Sequence, residues 1–125
     1  MAKKLSKSFH CPTEFTLAIL GGKWKTVILC FLKERPCRYA ELRKLLPRLS
    51  DKMLTERLHD LIASGLVVRK QRTAGQAQEY MLTLRGRQLT TLLRHLDTWG
   101  RENAPSYGVQ VGAPLTALDN ERKAS

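Results

Sequence analysis

The stretch Pro47-Arg48-Leu49-Ser50 constrains the chain more than any other feature, because it stands between two runs of helical periodicity. On its N-terminal side, the run from Tyr39 to Leu46 sets Leu42, Leu45 and Leu46 on one side. Pro47 stops that run, since the residue before a proline is driven out of the α region. On the C-terminal side, Ser50 is a good N-cap for a helix from about Asp51 to Ser64. There Leu54, Leu58, Leu61 and Ile62 fall at i, i+4, i+7 and i+8, a single inward stripe. Gly65 follows as the C-terminal cap. The opposite face of this second helix carries Lys52, Thr55, Glu56, His59 and Ala63, which are small or able to hydrogen-bond.

The segments on either side complete one domain. Leu66 to Arg72 reads as a strand, Thr73-Ala74-Gly75-Gln76 as a turn, and Gln78 to Leu82 as the returning strand of a β-hairpin. Its arms carry Arg69, Lys70 and Arg72, with no acid before Glu79. Thr83 is expected to cap one long final helix reaching about Asn103, in which Leu89, Leu92, Leu93, Leu96 and Trp99 follow a 3–4 spacing and Gly86 weakens the first turn. Upstream, Thr13 is the expected cap of a helix that ends at Gly21-Gly22. The run from Lys23 to Lys33 is apolar nearly all round: Trp24, Val27, Ile28 and Phe31 share one face, and Leu29 and Cys30 point elsewhere. Such a helix is central or is covered by another subunit. The expected layout is a flexible basic N-terminus over residues 1–10, a single domain over 11–103, and a flexible tail over 104–125.

Lys and Arg total 22 against 11 Asp and Glu, a formal net charge of +11 that calls for a polyanionic partner. The sequence carries no nucleophile–base motif and no phosphate-cradling glycine loop, so an enzyme is not expected. Cys11, Cys30 and Cys37, like His10, His59 and His95, are too scattered for a metal site or a disulfide framework, and no cofactor is expected. No run of about 20 apolar residues is present, and the basic start lacks the apolar core of a secretory signal. The cytoplasm is the expected compartment.

Two helices on a tight turn followed by a basic hairpin form a winged helix-turn-helix, here in an α+β, mainly helical chain. A helix about 10–12 Å across fits the major groove of B-DNA. The helix over 39–46 would brace the helix over 51–64, whose free stripe then meets base edges. Lys52 suits guanine acceptors, Thr55 a hydrogen bond or a thymine methyl, and Glu56 a cytosine amino group or Lys52 itself. His59 reaches base or phosphate, and Ser50 with the first amides suits a phosphate. Arg38 ahead of the first helix and Arg69, Lys70 and Arg72 on the wing complete the DNA-binding set. An ordinary solvated helix face is the competing assignment for Lys52, Glu56 and His59. The final helix either closes the core or pairs with a second copy. The second alternative makes Phe15, Trp24, Ile28, Leu89, Leu92, Leu93, Leu96 and Trp99 a homodimer interface, formed by N- and C-terminal helices, and predicts a palindromic operator. A basic winged helix for protein interaction or RNA binding is the rival function. RNA modules expose stacking aromatics, whereas the aromatics here fall mostly in the expected core stripes.

These residues closely resemble the HxlR-type (DUF24, MarR-like) family of winged helix-turn-helix transcriptional regulators. The matching pieces are Cys11-Pro12, Leu20-Gly21-Gly22-Lys23-Trp24-Lys25, Ile28-Leu29, Arg38-Tyr39-Ala40-Glu41-Leu42, the run from Ser50 to Leu58, Leu61, Gly65-Leu66-Val67 with Arg69, Glu79-Tyr80, Leu82-Thr83, Gly86 and Trp99. The match covers roughly residues 11–100. The resemblance implies a dimeric bacterial repressor or activator without catalysis, of a kind that often controls a nearby oxidoreductase or detoxification gene. It also implies that Cys11 matches a cysteine through which several members respond to quinones, aldehydes or oxidants, which makes a small electrophile or oxidant the implied effector. Cys37, between Pro36 and Arg38, is a second candidate reactive thiol, and Cys30 is expected to serve packing. The wing departs from the family, which usually has prolines before the Glu-Tyr pair. Residues 73–78 have none, so a more flexible wing is expected.

Overall fold

The apolar run around Ile28 becomes the axis of the protein. In the computed structural model, which describes residues 5–112, helix α2 (Lys25–Glu34) buries Ile28, Leu29 and Leu32. Around it lie α1 (Pro12–Leu20), β1 (Cys37–Arg38), α3 (Tyr39–Leu45), α4 (Asp51–Ala63), β2 (Val67–Lys70), β3 (Glu79–Leu82), α5 (Leu84–Arg87) and α6 (Thr90–Asn103). The core joins Leu42, Leu54, Leu58, Leu61 and Leu93 to the α2 face, and Val67, Tyr80 and Leu82 close it from the sheet. Residues 1–4 of the expected N-terminal segment and 113–125 of the expected tail lie outside the described residues.

The helix ends follow local chemistry. Ser50 Oγ accepts the Met53 N–H at 3.1 Å and starts α4. At the other end, Gly65 adopts φ +80°, its N–H donates to the Ile62 carbonyl, and the Leu66 N–H donates to that of Leu61. This is a Schellman closure, which needs the left-handed residue that glycine supplies. Helix α1 starts two residues earlier than the Thr13 cap implied: Pro12 takes the first helical position, and Cys11 is the extended residue before it. Proline suits that position because its missing N–H would have no partner there.

The sheet and the C-terminal region also differ from the expectation. The sheet has three antiparallel strands in the order β1-β3-β2, not two. The extra strand pairs Cys37 with Tyr80 and Arg38 with Glu79, and two residues carry no periodicity by which to announce a strand. The expected long final helix is divided into α5 and α6 around Gln88-Leu89. The Thr83 cap is present, accepting from the Gly86 N–H at 3.0 Å, and its hydroxyl also donates to the Gly65 carbonyl at 2.6 Å. This pins α5 to the start of β2 so closely that a Cβ at position 86 would lie 2.2 Å from the Leu66 carbonyl oxygen. Gly86 is therefore required by contact, beyond any weakening of the helix. Past α6 the chain does not turn directly into a tail: Ala104–Tyr107 form a 3-10 turn, Ala104 is buried, and Arg101 donates to the Gly112 carbonyl.

Candidate nucleic-acid interface

Helix α4 is two-sided. Leu54, Leu58 and Leu61 are buried, while Lys52, Thr55 and His59 are exposed and Glu56 is half-buried along the opposite stripe. No ion pair ties Lys52 to Glu56 among the described residues, so Glu56 does not orient Lys52 in the free protein. Ser50 is exposed with its oxygen engaged by the cap.

Tyr39, Arg43 and Asp51, none of them singled out from the sequence, lock α3 to the start of α4. The Tyr39 hydroxyl lies 2.8 Å from Asp51 Oδ1 and 3.4 Å from Thr55 Oγ1. Arg43 Nε sits 3.0 Å from the same Asp51 oxygen, and the Arg43 guanidinium donates to the Leu49 carbonyl in the turn. A second tie holds α4 from behind: Arg57 Nε donates to the Lys23 carbonyl at 3.0 Å. Lys23 belongs to the Gly-Gly-Lys-Trp turn, where Trp24 takes φ +80°. Lys25 Nζ donates in turn to the Ile19 carbonyl, which links α1 to the same turn. These contacts join residues 6 to 34 positions apart, and no local pattern encodes them.

The wing cations separate by strand register. Lys70 pairs with Glu79, and Glu79 with Arg38, so these three share one face of the sheet. Arg72 Nε reaches the same Glu79 carboxylate at 3.0 Å. Arg38 and Lys70 thus flank, by register, the acid with which Arg72 forms an ion pair. Arg69 pairs with Tyr80 and falls on the opposite face, where its own side chain is exposed. Hydrogen bonds close the wing without proline: the Gln71 side chain donates to the Gln76 carbonyl at 2.6 Å, and the Gln76 N–H donates to that of Thr73.

The expected interface residues fall into three groups. Ile28 and Leu93, at 0% and 2% exposure, are consumed in the protomer's own core and have no surface left for a partner. Trp24 and Leu89 are partly buried against that core. Phe15 on α1 and Leu92, Leu96 and Trp99 on α6 remain exposed, Trp99 at 60%. The aromatics are less confined to the core than expected, since Phe15, Trp99 and Tyr107 are all exposed. They lie on α1, α6 and the 3-10 turn, and none of the three belongs to α4 or the wing strands.

The thiols also separate. Cys11 is exposed. Cys37 is 1% exposed and its Sγ donates to the Arg35 carbonyl, so the second candidate reactive thiol is a core residue. Burial pushes the half-buried Cys30 thiol up from its ordinary value, against a lowering by Lys33, consistent with packing. No cluster of His, Cys, Asp or Glu among the described residues could hold a metal ion. Among the described residues, no single helix is long and apolar enough to cross a membrane.

A helix pair braced across a tight turn, with a basic antiparallel hairpin beside it, defines a winged helix-turn-helix. The model of the HxlR-like helix-turn-helix family matches residues 19–107. The chain is 41% identical over 95 residues to the uncharacterised HTH-type transcriptional regulator YkvN of Bacillus subtilis (strain 168), covering 75% of this chain and 80% of that one. The redox regulator HypR in its reduced form superimposes with a TM-score of 0.69 at 35% identity, over 74% of this chain and 93% of the other. Reduced YodB, a transcriptional regulator from B. subtilis, superimposes with a TM-score of 0.66 at 29% identity, over 75% and 94%. The chain belongs to the HxlR-like helix-turn-helix family, whose members are DNA-binding transcriptional regulators and not enzymes.

Proposed function

We propose that this regulator acts as a homodimer on a palindromic operator, reading bases through the exposed stripe of α4. The observation that carries the reading is the two-sidedness of α4: its leucines are held in the core and its opposite stripe, with Lys52, Thr55 and His59, is left open. Lys52 in the first turn donates to guanine acceptors, and Ser50 with the α4 amides approaches a phosphate. Arg38, Lys70 and Arg72 grip the backbone beside the groove, and Arg69 reaches from the other face of the wing. Leu92, Leu96 and Trp99 of α6, with Phe15 of α1, pair with a second copy and place the two α4 helices in successive major grooves about 34–36 Å apart.

A small electrophile or oxidant is the proposed effector, acting at Cys11. Support comes from that thiol's exposure and from two similar proteins, one described as a redox regulator and one solved in a quinone-bound form. Fluorescence anisotropy with duplex DNA from the chain's own upstream region, against RNA competitor and across a salt series, tests the DNA reading. Salt-sensitive duplex binding is expected, with Lys52→Ala lowering preference for operator over random DNA. Equal binding to RNA would overturn the reading. Cys11→Ser is expected to abolish the response to a quinone or hypochlorite, and a retained response would remove Cys11 as the sensor.

A further inference from the structure

The hydroxyl chain between α3 and α4 has a direction, and the direction is set by which groups can donate. Asp51 is an acceptor when ionised and Arg43 is only a donor, so the 3.0 Å ion pair between them is unambiguous. Tyr39 has one proton. Its best acceptor is the Asp51 carboxylate at 2.8 Å, because a bond to a charged oxygen is stronger than one to a neutral hydroxyl. The alternative acceptor on the same residue, the Asp51 carbonyl at 3.3 Å, draws the proton the same way. With that proton spent, the 3.4 Å contact between Tyr39 and Thr55 leaves only one polarity: the Thr55 hydroxyl donates and Tyr39 Oη accepts. The outward side of Thr55 then offers lone pairs and a methyl group, and no proton.

We propose that Tyr39 is a positioning residue that turns Thr55 into a hydrogen-bond acceptor, so that α4 favours adenine or cytosine over guanine at the base Thr55 meets. This rests on the assignment of α4 as the base-reading helix. In the major groove adenine presents its N6 amino group and cytosine its N4 amino group, both donors, whereas guanine presents only the acceptors N7 and O6. A threonine free to rotate would hydrogen-bond either kind of edge, and one whose proton is held by Tyr39 hydrogen-bonds only the amino-bearing edge. Tyr39 itself is partly buried against the core, so its ring is anchored while its hydroxyl reaches the α4 surface.

The test is binding-site selection from a randomised duplex library, then titrations of the full chain on duplexes varied at each position. Wild type, Tyr39→Phe, Thr55→Ser and Thr55→Val are compared. The position whose preference changes in Thr55→Val is the one Thr55 reads. There, wild type and Thr55→Ser are expected to favour adenine or cytosine over guanine by about three- to tenfold, the range of one neutral hydrogen bond. Tyr39→Phe keeps the ring and is expected to reduce that ratio to within about twofold, with preferences elsewhere unchanged. A wild-type preference for guanine at that position overturns the proposal, as does an unaltered profile in a folded Tyr39→Phe or a Thr55→Val that changes no position. Should Tyr39→Phe fail to fold, the wild-type ratio and the Thr55 pair decide by the same criteria. Loss of all duplex binding in wild type is a different pattern, and it removes the α4 reading together with this inference.

Discussion

Replacing Trp99 with alanine separates the roles of the two apolar faces of α6. Leu93 faces inward and is consumed by the core, whereas Trp99 is 60% exposed on the stripe it shares with Leu92 and Leu96. A fully buried aromatic covers about 150–250 Å², so the exposed part of Trp99 is roughly 90–150 Å². At about 25 cal/mol per Å², covering it contributes roughly 2–4 kcal/mol per protomer, an upper estimate because association has its own entropic cost. A two-fold axis counts the contact twice. Even half of the smaller total, about 2 kcal/mol, weakens the dimer about thirtyfold. Sedimentation velocity over a concentration series measures that shift, and urea denaturation of the dissociated protomer checks that the core is intact. A Trp99→Ala protein with an unchanged dimerisation constant, or a wild type that is monomeric at tens of micromolar, would refute the reasoning. Operator affinity is expected to fall with dimerisation, because each half-site then binds alone.

Other perturbations address the scaffold, the thiols and the wing. Gly86→Ala forces its Cβ against the Leu66 carbonyl oxygen, and urea unfolding is expected to show a loss of about 1–3 kcal/mol; a change under about 0.5 kcal/mol would contradict the close approach. Brief alkylation at pH 8 followed by mass spectrometry is expected to label Cys11 first, with Cys37 and Cys30 labelled mainly after unfolding. Burial raises the Cys30 thiol above its ordinary 9.0, so the folded state holds that proton more tightly. The associated stability is present below pH 9 and declines as pH rises through the raised value, which alkaline unfolding series can follow. Lys70→Ala is expected to reduce the slope of log affinity against log salt by about one, with sequence preference unchanged. An unchanged slope would place Lys70 away from phosphate.

Much of the scaffold was legible because its signals are local. Leu54, Leu58 and Leu61 share a face by spacing alone, Ser50 caps by its own hydroxyl, and Thr83 marks a helix start. The pairing of β1 with β3 was not legible, since Cys37 and Arg38 are a strand only by virtue of Tyr80 and Glu79, more than 40 positions later. The break between α5 and α6 was hidden for a related reason: the apolar spacing continues across Gln88-Leu89, and the pinning of α5 to β2 is a tertiary contact. Ile28 and Leu93 show the limit of periodicity for interfaces. Spacing says that a face is covered, and only packing says whether the cover is the same chain or another.

From its residues alone this protein acquires its helix-turn-helix, its basic hairpin and the stripe of α4 that is free to meet a groove. Those properties depend on φ/ψ preference, capping and apolar spacing, all of which act within a few residues. Tertiary structure alone decides how that stripe is held and chemically poised: Tyr39 and Arg43 against Asp51, Tyr39 against Thr55, Arg57 against the Lys23 carbonyl, and Arg72 against Glu79. Hydrogen bonds and ion pairs depend on ångström-scale distance between atoms, and those distances are set only when elements far apart in the chain have packed.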